Sequence, residues 1–219
     1  MDLNVIVTGV TGMVGEGVMH EALLHPHVKK VLSVSRKPTG VSHPKLTEII
    51  IPDFFDLSSI ESELIGYNAC FFCLGVSSVG MKENEYRQLT YDLTLNFAKA
   101  VSSLNPDMTF CYISGKSTDS SEKGRLMWAR VKGKTENDLM KLPFKRVFVF
   151  RPGYMHPTKG LKNTLKSYKY IAWLYPVLRS VFPSSVSTLK ELGLAMINVS
   201  IRGFNKNILE VKDIVNEAK

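Results

Sequence analysis

Val5-Ile6-Val7-Thr8-Gly9-Val10-Thr11-Gly12-Met13-Val14-Gly15 is the stretch that decides the fold. An apolar, β-branched run enters three glycines spaced three residues apart, and helical spacing of apolar residues follows from Val14. The pattern predicts a strand, a tight turn and a helix. In such a turn Gly9 lets the chain reverse, Gly12 lets bare backbone approach a pyrophosphate, and Gly15 seats the helix against the strand. The helix N-terminus then faces the anion.

The composition limits which class of protein the chain can be. The chain has 219 residues, 44% of them hydrophobic, which is enough to bury a sizeable core in one domain. It has no apolar run long enough for a transmembrane segment, and its N-terminus enters a strand without a secretory signal. We therefore expect a cytoplasmic protein. The net charge of +8 suggests anionic partners, such as a phosphate-rich cofactor. No nucleic acid is expected, because no clustered basic face is evident.

The three cysteines do not indicate a redox or metal site. Cys70, Cys73 and Cys111 all lie in apolar runs that are typical of strands. A C-x-x-C pair that binds a metal or cycles as a disulfide normally opens a helix or a loop. We expect these thiols to pack in the core, and we expect no metal.

Strands and helices alternate along the rest of the chain. The predicted strands after the first are 31–35, 46–51, 68–74, 108–114, 147–150 and 208–211, and the predicted helices after the first are 83–104, 127–142, 159–182 and 189–201. This alternation predicts an α/β fold, a Rossmann-type doubly wound parallel sheet with its ligand at the carboxyl ends of the strands. We interpret 1–219 as a single nucleotide-binding domain, with a Rossmann core over 1–157 and a small C-terminal helical lid and closing segment over 158–219.

The end of the second predicted strand indicates which dinucleotide binds. An NAD-selective protein places an acidic residue there for the ribose hydroxyls, whereas this chain has Ser35, Arg36 and Lys37. Because a guanidinium offers a planar fork of donors to a 2′-phosphate, we predict NADP(H) over NAD(H). After the third strand, Asp53 and Phe54 are placed to meet the adenine. Backbone groups after the fourth strand, in 74–76, are expected beside the ribose.

Five separated motifs together resemble a known family. They are the T-G-x-T-G-x-x-G turn, Cys73-Leu74-Gly75-Val76-Ser77-Ser78, Tyr112-Ile113-Ser114-Gly115, Val131-Lys132-Gly133-Lys134-Thr135-Glu136 and Phe150-Arg151-Pro152-Gly153. In this order they resemble the atypical short-chain dehydrogenase/reductase superfamily, most closely the small bacterial proteins labelled epimerase or oxidoreductase. The NmrA-like proteins and the Tat-interacting oxidoreductase-like protein are related to that branch. The resemblance covers residues 1 to about 157.

The resemblance implies a catalytic serine, and a tyrosine followed four residues later by a lysine. Ser114 matches the serine, which would hydrogen-bond the substrate oxygen, and Lys132 matches the lysine, which would hold the nicotinamide ribose. Trp128 stands where the tyrosine is expected. An indole N–H only donates and cannot cycle as an acid and a base. The implied cofactor contacts are Gly9, Thr11, Gly12, Met13, Val14, Gly15, Ser35, Arg36, Lys37, Asp53, Phe54, Leu74, Gly75, Val76, Lys132 and Pro152.

Three interpretations of Trp128 remain open. In the first, another group delivers the proton: Tyr154 leads, His156 and Tyr91 follow, and a water polarised by Ser114 is a further candidate. In the second, Trp128 packs on the nicotinamide or caps the pocket of a protein that binds NADP(H) without turnover. In the third, Trp128 is a core residue and the alignment is shifted. We place Ser77, Trp128 and His156 in the substrate pocket.

The C-terminal residues limit the substrate. Too few residues follow Gly153 for the large domain with which sugar-nucleotide epimerases hold their substrates. The basic, aromatic segment 159–182 suits a lid, an interface or a surface membrane contact, and packing across the sheet's edge is favoured. We expect an oxidoreductase of a small carbonyl or enone. The alternative is a non-catalytic NADP(H)-binding redox sensor, and an epimerase or dehydratase acting on a small sugar comes third. The expected partner is a small-molecule substrate, and a homodimer is also compatible with the sequence.

Overall fold

A parallel sheet with helices on both faces forms the protein. The computed structural model describes residues 1–164 and 172–219. Its main strands are β1 (Leu3–Thr8), β2 (Val28–Ser35), β3 (Leu46–Ile50), β4 (Ala69–Phe72), β5 (Thr109–Ile113), β6 (Arg146–Arg151) and β9 (Ile208–Glu210). Within the described residues they lie in the order β3-β2-β1-β4-β5-β6-β9, and every neighbouring pair is parallel. The predicted Rossmann-type fold is confirmed.

The helices cover the sheet in two layers. They are α1 (Met13–Leu24), α2 (Glu83–Arg87), α3 (Leu93–Leu104), α4 (Met127–Leu139), α5 (Tyr175–Val181), α6 (Leu189–Arg202) and α7 (Val211–Glu217). Apolar residues of α1, α6 and α7 pack in one core, and those of α3 and α4 pack in the other. A π-helical turn, Gln88–Asp92, joins α2 to α3, so the predicted helix 83–104 is one run with a wide turn in it.

The central strands β1, β4, β5 and β6 are mostly apolar because both of their faces are buried. In β1, Val5 and Val7 belong to one core and Ile6 to the other, as the period of two in a strand requires. Cys70 and Cys111 are fully buried on neighbouring strands, and all three cysteines are free thiols. Their role in the structure is therefore packing.

The strand order reverses between β1 and β4, which places a crevice at the carboxyl ends of these two strands. The glycine turn that follows β1 borders this crevice. Gly9 has a φ of +70°, and a Cβ on it would stand 2.6 Å from the carbonyl of Cys73. A Cβ on Gly15 would stand 2.2 Å from the Gly9 carbonyl oxygen. The sequence therefore needs glycine at both places for α1 to begin where it does.

The C-terminal region differs from the sequence-based expectation. The predicted helix 159–182 is a loop over 158–164, and 165–171 fall outside the described residues; a short 3₁₀ turn at Ala172–Leu174 then leads into α5. Pro176 lies in the first turn of α5. The N–H that proline lacks has no partner within the helix at this position, so Pro176 begins a helix and does not interrupt one. The residues after β9 form α7.

A second sheet was not predicted. It pairs β7 (Tyr154–His156) with β8 (Val186–Thr188) in parallel. Each strand has three residues, too few to show an alternating pattern in the sequence. This small sheet fixes the chain that leaves β6, and a Cβ on Gly153 would stand 2.2 Å from the Ser185 carbonyl oxygen.

Two glycine substitutions in the turn should differ in their effects on stability. Gly15→Ala should lower the free energy of unfolding by about 2 kcal/mol or more, because its Cβ would overlap the Gly9 carbonyl. Gly12→Ala is the matched control, since its Cβ would meet that oxygen at an ordinary 3.4 Å. Urea unfolding of the two variants measures the difference. Equal destabilisation by both would contradict this account of the turn.

Candidate cofactor and active site

The glycine turn presents backbone to the crevice. The Gly12 N–H donates to the Gly9 carbonyl at 2.9 Å, and the Glu16 N–H donates to the Gly12 carbonyl at 2.9 Å. Thr11 and Gly12 are exposed, whereas Met13 packs in the core. Internal packing does not require a glycine at position 12, so the open space above it is available to an external group. Free N–H groups at the start of a helix suit an anion.

A cleft of about 350 Å³ lies beside this turn, at the carboxyl ends of β2, β3 and β4. It is lined by Arg36, Pro52, Asp53, Phe54, Phe55, Leu74, Gly75, Val76, Leu89 and Leu93. The structure thus brings together most of the residues that the sequence assigned to the adenosine half of a dinucleotide, while Ser35 and Lys37 lie outside this lining. Such a mostly apolar cleft with few polar groups is typical of a ligand site.

The lining of the cleft contains one cation, Arg36, and one carboxylate, Asp53. The Ser35 hydroxyl donates to the Lys37 carbonyl at 2.7 Å, which fixes the turn that carries Arg36. Arg36 and Lys37 are exposed. The Asp53 carboxylate accepts the Phe55 N–H at 2.8 Å and so caps its own loop. The guanidinium of Arg36 is therefore the charge best placed to meet a bound anion.

The aromatic wall of the cleft involves a residue that the sequence did not identify. Phe54 is only 3% exposed, and its ring centre lies 6.0 Å from that of Phe97 in the core. Phe55 is 39% exposed and supplies the accessible apolar ring. Asn96 donates to the carbonyls of both residues, at 3.2 and 3.1 Å, and holds their loop. Because adjacent side chains of an extended chain point to opposite sides, the sequence could have suggested that one of these two rings points outward.

A second group of predicted residues meets at the end of β5. The Ser114 N–H donates to the Phe150 carbonyl at 2.8 Å, and the Lys132 ammonium donates to the Ile113 carbonyl at 3.4 Å. The Trp128 ring lies 3.7 Å from the position of a Cβ on Gly115. Trp128 and Lys132 are one turn apart on α4, so both side chains face the end of this strand. Trp128 is half-buried and does not belong to either core.

The surroundings of Lys132 perturb its charge. Burial lowers the pKa of Lys132 to about 8, and the Glu136 carboxylate one turn further on opposes that shift. Glu136 is fully buried and pairs with Arg151, whose Nε donates to it at 3.1 Å. The Lys132 ammonium also lies 5.3 Å from the centre of the Tyr112 ring. The site thus holds a lysine whose pKa lies well below its ordinary value of 10.5.

The Ser114 hydroxyl has a partner that the sequence did not reveal. Its oxygen lies 3.0 Å from the Thr118 hydroxyl oxygen, and Thr118 donates its proton to the Gly115 carbonyl at 2.8 Å. A hydroxyl has one hydrogen, so Ser114 donates to Thr118 and keeps its lone pairs available. Thr118 lies in a polar loop without a recognisable motif, and only the folded chain brings it to Ser114.

Other predicted residues lie apart from this group. Ser77 is exposed and accepts the Val79 N–H at 3.3 Å. His156 stacks on Tyr175, with ring centres 4.2 Å apart, beside a different cavity lined by 156–162 and Thr164. The Tyr91 hydroxyl donates to Asp138 at 2.8 Å. The structure gives no contact between these side chains and Ser114.

Tyr154 and Pro152 follow β6 directly. The Pro152 carbonyl accepts the Lys116 N–H at 3.1 Å, which ties the loop after β5 to the loop after β6. The Tyr154 N–H donates to the Ser185 carbonyl at 2.9 Å, and its hydroxyl is shielded from solvent. Both residues therefore stand at the same edge of the sheet as Ser114.

Within 1–164 and 172–219, no group of three or more His, Cys, Asp or Glu side chains is arranged to hold a metal ion. In the same part of the chain, no helix has the length and apolar character needed to span a membrane.

Comparison with known sequences gives fungal relatives. No protein-family model matches the chain. The chain is 32% identical over 157 residues to the mitochondrial protein fmp52 of Emericella nidulans, covering 68% of this chain and 66% of that protein. It is 28% identical to the mitochondrial protein fmp52-1 of Aspergillus terreus, covering 77% and 74%. The chain thus spans just under two thirds of the Emericella protein. Because these relatives are named mitochondrial, the expectation of a cytoplasmic protein is wrong.

Comparison with solved structures concerns the fold. A glucuronic acid dehydrogenase from Chromohalobacter salexigens superposes with a TM-score of 0.68 at 14% identity, covering 95% of this chain and 76% of that one. The Bordetella bronchiseptica enzyme WbmF, solved with NAD⁺, gives 0.65 at 13% identity, covering 99% and 77%. A UDP-N-acetylglucosamine 4-epimerase from Methanobrevibacter ruminantium gives 0.64 at 16% identity, covering 98% and 80%. The chain therefore has the Rossmann-like fold that these epimerases and dehydrogenases share.

Proposed function

We propose that the protein binds NADP(H) and acts as an oxidoreductase on a small carbonyl or enone. The observation that carries the proposal is the pairing of two sites on one sheet edge. One is the cleft beside the glycine turn, with Arg36 in its lining. The other is the cluster of Ser114 and Lys132 at the end of β5. A dinucleotide bound across the crevice would place its adenosine at the first and its nicotinamide at the second.

The preference for NADP(H) is supported by Arg36. A ribose with free hydroxyls is best bound by a carboxylate at the end of β2, where this chain has a guanidinium. The nearby carboxylate of Asp53 already accepts a hydrogen bond within its own loop. Arg36 would give a 2′-phosphate charge-assisted hydrogen bonds, and Ser35 introduces no opposing charge.

The chemistry proposed for the second site follows from its side chains. When bound, the nicotinamide would supply or take the hydride. Lys132 would donate hydrogen bonds to the ribose hydroxyls and offset negative charge that develops on the substrate oxygen. Ser114 would hydrogen-bond that oxygen. We propose Tyr154 as the acid that supplies the proton, since it follows β6 at the same edge of the sheet and Trp128 cannot cycle a proton.

The second candidate function is a redox sensor that binds NADP(H) without turnover. Trp128 favours it, because the resemblance implies a proton-donating tyrosine at this position and the indole ring lies 3.7 Å from the position of a Cβ on Gly115. A large flat ring there would cover the pocket and stack on a cofactor ring. The output of such a protein would be an interaction that depends on the oxidation state of the cofactor.

Reversing the charge of Arg36 should reverse the nucleotide preference. In Arg36→Asp we expect NADPH to bind roughly 10- to 100-fold more weakly, because hydrogen bonds to a charged group are worth about 1.5–3 kcal/mol. NADH should bind as well as before or better. Lys30→Asp is the matched control, since Lys30 is exposed near the opposite end of β2. Fluorescence titration measures both nucleotides. Unchanged NADPH binding in Arg36→Asp would contradict the assignment.

The charge state of Lys132 should appear in the pH dependence of stability. The native state releases this proton near pH 8, whereas the ordinary pKa is 10.5. Between these values the unfolded chain binds more protons, so this group makes stability rise with pH. We expect the wild type to gain stability relative to Lys132→Met when urea unfolding is compared at about pH 7.5 and about pH 9.5. Parallel behaviour of the two proteins would rule out the lowered pKa.

Trp128→Tyr distinguishes the enzyme from the sensor. An NADPH-consumption screen over aldehydes, ketones, enones and quinones should show turnover by the wild type, and Tyr154→Phe should abolish most of it. Trp128→Tyr should restore turnover to the Tyr154→Phe variant by providing a hydroxyl one turn before Lys132. Ser114→Ala is the inactive control. A wild type that binds NADPH, yet turns over no substrate until Trp128 is replaced, would support the sensor.

A further inference from the structure

Glu16 joins the glycine turn to a distant part of the chain. This carboxylate is 7% exposed and lies in the first turn of α1, directly after Gly15. One of its oxygens accepts the main-chain N–H of Lys162 at 2.8 Å, and the other accepts that of Asn163 at 2.7 Å. Hydrogen bonds from neutral donors to a buried carboxylate are strong and directional. Residues 158–164, which we call the strap, are therefore held against the turn.

The strap brings the side chain of Lys162 to the loop after β2. The Lys162 ammonium lies 3.9 Å from the position of a Cβ on Gly40. Gly40 belongs to the loop that starts with Arg36 and Lys37, after β2. The main chain of Lys162 is thus fixed at the start of α1, while its exposed side chain reaches the β2 loop. It bridges the gap between these two elements.

This gap is where the ribose 2′ position of a dinucleotide lies in a Rossmann fold, between the turn after the first strand and the end of the second. The β2 loop is itself held in place, because Glu48 accepts the Thr39 N–H at 3.0 Å. The carboxylate of Glu16 would repel a phosphate nearby, and its two N–H partners weaken that repulsion without removing the charge. Two cations, the Arg36 guanidinium and the Lys162 ammonium, then stand at the β2 loop.

We propose that Lys162 is a specificity-determining residue that binds the 2′-phosphate of NADP(H) together with Arg36, and that Glu16 is its positioning residue. The inference rests on the proposed NADP(H) binding. The sequence pattern of a Rossmann fold does not indicate Lys162, because it lies more than a hundred residues after the β2 loop. The ammonium is exposed, so its contribution should be that of a surface contact to one phosphate.

Charge removal at Lys162 tests the proposal on the full chain. In Lys162→Gln we expect NADPH and adenosine 2′,5′-bisphosphate to bind about 3- to 10-fold more weakly, with NADH and 5′-AMP unchanged. Lys159→Gln removes the same charge from the same strap and is the matched control, which should bind all four nucleotides as the wild type does. Equal weakening of all four nucleotides, or of none, by Lys162→Gln would overturn the proposal.

Glu16→Gln tests the positioning role. The amide keeps one acceptor but presents an N–H group to the other main-chain donor, so the strap should lose its fixed place. We expect this variant to lower the NADPH-to-NADH affinity ratio by several-fold. It should lower the ratio no further when Lys162 is already Gln, because both changes remove one interaction. Additive effects on the ratio would overturn the positioning role.

The two proposals fail in different ways. A wild type that prefers NADPH, together with a Lys162→Gln variant of unchanged preference, overturns the role of Lys162 and leaves NADP(H) binding intact. A wild type that binds NADH as tightly as NADPH overturns the NADP(H) proposal itself, and the inference about Lys162 fails with it. Arg36→Asp provides the independent measure of that first step.

Discussion

The close approach of α1 to the chain before it is the constraint on which the structure depends. Gly15 leaves no room for a side chain because the Gly9 carbonyl lies against it. That contact fixes where the first helix starts relative to β1, and hence where its free N–H groups point. The strand order reverses beside this turn. The crevice, the cleft and the strap are all placed relative to one helix N-terminus.

On the other half of the sheet, a buried ion pair fixes the position of a helix. Glu136 on α4 is fully buried and pairs with Arg151 at the end of β6. Removing one partner of such a pair typically costs about 3–5 kcal/mol, because the remaining charge stays buried. The pair ties α4 to the sheet one turn after Lys132. The helix therefore holds the lysine and Trp128 toward β5 with little freedom to rotate.

The features predictable from the sequence are those encoded in short stretches. The glycine turn, the apolar strands and the i,i+4 relation of Trp128 and Lys132 depend on neighbours in the chain, and periodicity shows them directly. The predicted residues 36, 53, 54 and 74–76 do line one cleft because parallel strands end at one edge. Their assigned contacts with a cofactor remain predictions.

The features that the sequence did not reveal depend on long-range contacts. Phe54 and Phe55 are indistinguishable until Phe97 packs against one of them. Thr118 meets Ser114 only because a polar loop turns back. The strap is set by a carboxylate at position 16 that accepts N–H groups from residues 162 and 163. None of these partners is marked by composition or spacing.

The hydroxyl pair at the end of β5 gives the site a defined polarity. Thr118 donates its single hydrogen to the Gly115 carbonyl, so the Ser114 hydroxyl must donate its own hydrogen to Thr118. In this arrangement Ser114 is an acceptor toward the pocket and complements an alcohol. A carbonyl ligand needs the Ser114 hydroxyl to rotate away from Thr118, which leaves the threonine oxygen one hydrogen bond short. The oxidised and reduced forms of one ligand would therefore select two different orientations of the same proton.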